Sequence, residues 1–133
     1  MSAARWAQQQ LLHDRLAEQN LRVYAVWFNM YPGDERSAWP ATLLTDARVI
    51  HFWDEQRGVG RVFLSRLVAM LDRRAPNTLT PAADAMWDAY YLYQRGDRWN
   101  DSLPLPVSWG YPIMVTRDQL VAELDRLIAT VRQ

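Results

Sequence analysis

Two short runs rich in aromatic and β-branched residues, Arg22 to Met30 and Asp46 to Trp53, are separated by a stretch holding Pro32-Gly33-Asp34 and Pro40. This spacing constrains the chain more than any other feature. Runs of this composition make strands, and the Pro-Gly-Asp cluster ends the first one. The first run shows little alternation, which predicts a strand buried on both faces. A connection long enough for a crossover, here with a short helix over Ser37 to Leu44 interrupted by Pro40, makes the two strands parallel with a right-handed link.

The rest of the chain follows the same logic. Ala4 to Gln19 reads as a helix with a narrow apolar stripe of Trp6, Leu12 and Leu16 and a polar Gln8-Gln9-Gln10 stretch. Gly58 to Arg74 predicts a central helix, with Val59, Val62, Phe63, Leu67, Met70 and Leu71 on a wide face. Ala75 to Ala83 is a loop by its Pro, Asn and Thr content, Met86 to Tyr93 a third strand, Arg95-Gly96-Asp97 a turn, and Val107 to Val115 a further extended segment. Thr116-Arg117-Asp118-Gln119 has the form of a capping box opening a last helix that carries Leu120, Leu124, Leu127, Ile128 and Val131. The expected order after the leading helix is β-(short α)-β-α-β-β-α, a mixed α/β sheet flanked by helices. A length of 133 residues suits one domain, with residues 1–20 as an N-terminal helix and 21–133 as the core.

The segments Val23 to Met30, Asp34 to Pro40 and Asp46 to Asp54 resemble a bacterial thioredoxin-like group without an assigned activity. So do Gly60-Arg61-Val62-Phe63, Trp87 to Tyr93 and Val107-Ser108-Trp109-Gly110. The resemblance implies a thioredoxin-like fold and brings no substrate. Two departures separate this chain from redox-active thioredoxins: it has no cysteine, and no proline directly precedes the third strand. Thiol-disulfide exchange needs a thiolate, so that chemistry is closed to it.

Composition narrows the remaining classes. The chain has 15 basic residues, every one an arginine, and 15 acidic ones, a formal net charge of +0. No basic footprint points to nucleic acid or to an anionic membrane, and no apolar run approaches the ~18 residues of a membrane span. The segment Met1 to Asn20 lacks the features of a signal peptide, so the expected compartment is cytoplasmic. No P-loop, dinucleotide fingerprint or nucleophile elbow is present, and no cofactor or catalytic residue is assigned. His51 and His13 do not stand at ligand spacing, which argues against zinc.

Two candidate surfaces remain. Ligands in open α/β sheets sit at the carboxyl ends of parallel strands; here Asp34, Arg36, Trp39, His51 and Asp54, with Glu35 and Arg57 beside them, are the candidate ligand-binding set. The structural alternative makes Asp34 a helix cap, Asp54 a turn residue and His51 a satisfied strand histidine. Asp88, a carboxylate in an apolar run, calls for an arginine partner such as Arg61 or an edge position. Arg95-Gly96-Asp97 is a three-residue match to an adhesion motif and reads simply as a turn.

The second surface is aromatic. Tyr90, Tyr91, Tyr93, Trp99, Trp109 and Tyr111 must divide between the two faces of a sheet. Trp6, Leu12, Leu16, Trp109 and Tyr111 are the candidate interface toward another protein chain, either a second copy or a larger complex. The favoured expectation is a non-redox protein acting through protein-protein contact; the alternative is an enzyme or small-ligand binder using the strand-end loop.

Overall fold

The computed structural model describes residues 2–29, 41–71, 85–86 and 88–132. The chain is mixed α/β: a short helix α1 (Ala3–Trp6), strands β1 (Val23–Trp27) and β2 (Val49–Trp53), helix α2 (Gly58–Leu71), strands β3 (Tyr90–Leu92) and β4 (Ser108–Gly110), and helix α3 (Ile113–Val131). Its contacts fall into two compact units, residues 7–86 and residues 1–6 with 87–133. Among the described residues no helix is long and apolar enough to cross a membrane.

In the unit of residues 7–86, β1 and β2 pair in parallel, from Val23 opposite Val49 to Trp27 opposite Trp53. This is the pairing that the crossover spacing requires. The residues leading to β1 depart from the sequence expectation. Instead of one α-helix over Ala4 to Gln19, α-helical bonding stops at Trp6, Ala7–Leu12 is π-helical and His13–Arg15 is a 3-10 turn. A π turn bonds five residues on rather than four, so the apolar face slips by about one residue per turn. Leu11 is therefore buried alongside Leu12, whereas Leu16 lies past the helical end and is 57% exposed.

Arg48 caps the end of this helical segment. Its side chain is only 7% exposed, at the threshold of β2. Nε donates to Asp46 Oδ1 at 2.9 Å, Nη2 to Asp46 Oδ2 and to the Leu12 carbonyl at 2.8 Å each, and Nη1 to the carbonyls of Arg15 at 2.6 Å and Glu18 at 3.2 Å. All five guanidinium N–H donors have acceptors. Carbonyls at the end of a helix lack internal partners and favour a cation, which explains why the charge sits there. Gln8 makes the reciprocal connection, its Oε1 accepting the backbone amides of Thr45 at 2.8 Å and Asp46 at 2.9 Å.

In the other unit β3 and β4 are antiparallel, with Tyr90 opposite Gly110, Tyr91 opposite Trp109 and Leu92 opposite Ser108. The third strand begins at Tyr90 rather than Met86 because Asp88 is left-handed (φ 50°), which an extended strand does not accommodate. The turn at Gly96 (φ 95°) forms as expected, but the strand that pairs back is Ser108–Gly110, beyond the proline-marked connection. A Cβ at Gly110 would meet Thr116 Oγ1 at 2.6 Å and Tyr90 Cε1 at 2.8 Å, so this close approach of strand, ring and helix requires glycine.

Ile113 to Val115 are helical, not extended, and the capping box does not form. Pro112, with φ −58° and ψ 151°, holds the N-cap position after a cis Tyr111–Pro112 peptide. Thr116 lies inside the helix, its hydroxyl donating back to the Pro112 carbonyl at 3.0 Å. Gln119 bonds β4 instead of a cap: Nε2 donates to Ser108 Oγ and to the Trp109 carbonyl, each at 3.1 Å. Of the expected stripe Leu120 and Leu124 are buried, Leu127 and Ile128 half-buried, and Val131, at the helix end, 56% exposed. The described strands thus form two two-stranded sheets, one parallel and one antiparallel, rather than the single mixed sheet expected from the element order.

The Arg48 hydrogen bonds hold the Asp46 carboxyl at about 2, down from 3.8. A depressed carboxyl stabilises the folded state above its ordinary pKa and loses that contribution as pH falls toward the folded value. Asp46→Asn is expected to lower stability at neutral pH by about 2 kcal/mol. Urea titrations of the two proteins should converge as the pH is lowered from about 4 toward 2; a pH-independent difference would contradict the assignment.

Candidate functional site

At the carboxyl ends of β1 and β2 the described residues are Trp27 to Asn29 and Trp53 to Arg57. Asp34, Arg36 and Trp39, with Glu35, lie outside the described residues. The two remaining members of the ligand-binding set are placed, and each is engaged by its own chain.

His51 sits in β2 opposite Ala25. The Trp27 indole N–H donates to His51 Nδ1 at 2.9 Å, and His51 Nε2 lies 2.9 Å from the Leu44 carbonyl. An indole only donates and a carbonyl only accepts, so the hydrogen bonds assign the neutral Nε2–H tautomer. The two rings also stack, with centroids 6.1 Å apart and planes 20° from parallel. Both ring nitrogens are engaged within the chain, so that His51 in β2 bridges Trp27 of β1 and the Leu44 carbonyl just past the 3-10 turn at Ala41–Leu43.

Asp54 follows β2 and continues its ladder, donating its amide to the Trp27 carbonyl at 2.7 Å. Its carboxylate accepts the first amides of α2, Gly58 N on Oδ1 at 3.0 Å and Val59 N on Oδ2 at 2.8 Å. The chain reaches this geometry through Arg57 in a left-handed conformation (φ 57°), a rare one for a residue with a side chain. Asp54 thus caps α2. Asn29 is also at this end, with Oδ1 buried and accepting no hydrogen bond among the described residues.

The aromatic residues divide between the faces of the β3–β4 sheet. Tyr90, Ser108 and Gly110 face α3, where Tyr90 Oη and Ser108 Oγ are 3.0 Å apart and buried. Burial and the neighbouring Tyr93 push the Tyr91 phenol up, away from ionisation. Burial also raises the Asp88 carboxyl, against a smaller opposing effect of the Ile113 amide. Asp88 makes no ion pair among the described residues.

Of the interface candidates, Trp6 and Leu12 are buried within the chain. The N-terminal helical segment is therefore not free to dock elsewhere through Leu12, which the π turn and the Arg48 cap carry inward. Leu16 and Tyr111 are exposed, and Trp109 stacks on Tyr111 with centroids 6.3 Å apart and planes at 12°.

One surface went unread in the sequence. Contrary to the expectation of burial on both faces, β1 and β2 expose one. Tyr24 is 62% exposed, Ile50 42% and Phe52 49%, and all three share a face with the half-buried Val26. Tyr24 and Phe52 stack with centroids 6.3 Å apart. Apart from His51, residues on both faces of these strands are apolar or aromatic, so the alternation that would distinguish an exposed face is missing. No metal-ligating cluster occurs among the described residues. Comparison with protein-family models, with curated proteins and with solved structures finds no match for this chain.

Replacing the Asp54 cap by alanine is expected to cost about 1 kcal/mol of stability, read from the denaturation midpoint. Asp54→Ser, which keeps an acceptor, should recover part of the loss. An alanine variant as stable as the parent would remove the capping role.

Proposed function

We propose that this protein is a cysteine-free, thioredoxin-like chain that acts through protein-protein contact, as an accessory subunit or a homo-oligomer, in the cytoplasm. The exposed face of Tyr24, Ile50 and Phe52 carries the reading. Parallel strands are ordinarily covered on both faces, and the largest apolar patch on a protein's surface is often functional. The order of elements supports the thioredoxin-like assignment: a parallel strand pair, a helix, an antiparallel strand pair and a closing helix follow one another as the resemblance implies. The absence of any cysteine separates the protein from thiol-disulfide chemistry.

Light scattering on the purified chain, joined to a pull-down from native extract, tests the proposal. The expected result is a mass above that of a monomer or a retained partner, lost in Phe52→Glu while the circular dichroism spectrum is kept. No insulin reduction is expected. A chain that stays monomeric, retains nothing and is indifferent to Phe52→Glu would end the interaction reading.

A further inference from the structure

We draw no further inference here: the strongest candidate, the apolar patch of Tyr24, Ile50 and Phe52 on the exposed face of the β1–β2 sheet, carries nothing beyond the interaction reading, since nothing in the structure shows what covers it.

Discussion

A guanidinium can sit in a protein interior only if each of its N–H donors finds an acceptor and its charge finds a counterion. Arg48 meets both conditions, and in doing so joins the N-terminal helical segment to the start of β2. Its acceptors come from Asp46 two residues earlier and from carbonyls at Leu12, Arg15 and Glu18. The strand β2 therefore starts where the N-terminal helical segment stops, and Leu12 is buried at that junction. Lysine could not substitute, since three donors on a tetrahedral centre do not match five acceptors arranged about a plane. Whatever favours arginine over lysine along the whole chain, geometry demands it at this position.

The parallel pairing of β1 with β2 was legible because a crossover of this length permits little else, and the buried Leu120 and Leu124 of α3 were legible from the helical period. What the sequence concealed shares one physical character: it depends on partners far away along the chain. Arg48 reaches carbonyls 30 to 36 residues back, and Trp27 meets His51 across 24 residues. Local rules also competed and lost. Thr116 and Gln119 have capping-box spacing, yet Pro112 opens the helix first, and both side chains are drawn to other acceptors. The N-terminal stripe was drawn on a four-residue repeat, and the wider π turn moved Leu11 in and left Leu16 outside.

The candidate site was legible only as a location. The carboxyl ends of the parallel strands do gather polar groups, but His51 is engaged by Trp27 and Leu44, and Asp54 accepts the first amides of α2. The exposed aromatic face was illegible for the opposite reason. Tyr24, Ile50 and Phe52 have the composition of a core, and hydropathy cannot distinguish a side chain buried by its own chain from one left at the surface.

The cap on α2 also bears on what this fold can hold. The first amides of a helix are a ready anion site, the place where phosphates settle in many α/β proteins. Here a carboxylate from the same chain already occupies it, tethered four and five residues upstream of Gly58 and Val59. A phosphoryl group arriving from solution would have to displace a ligand present at the high effective concentration of a short loop and would meet its negative charge on approach. In this position Asp54 acts as a built-in competitor for those amides.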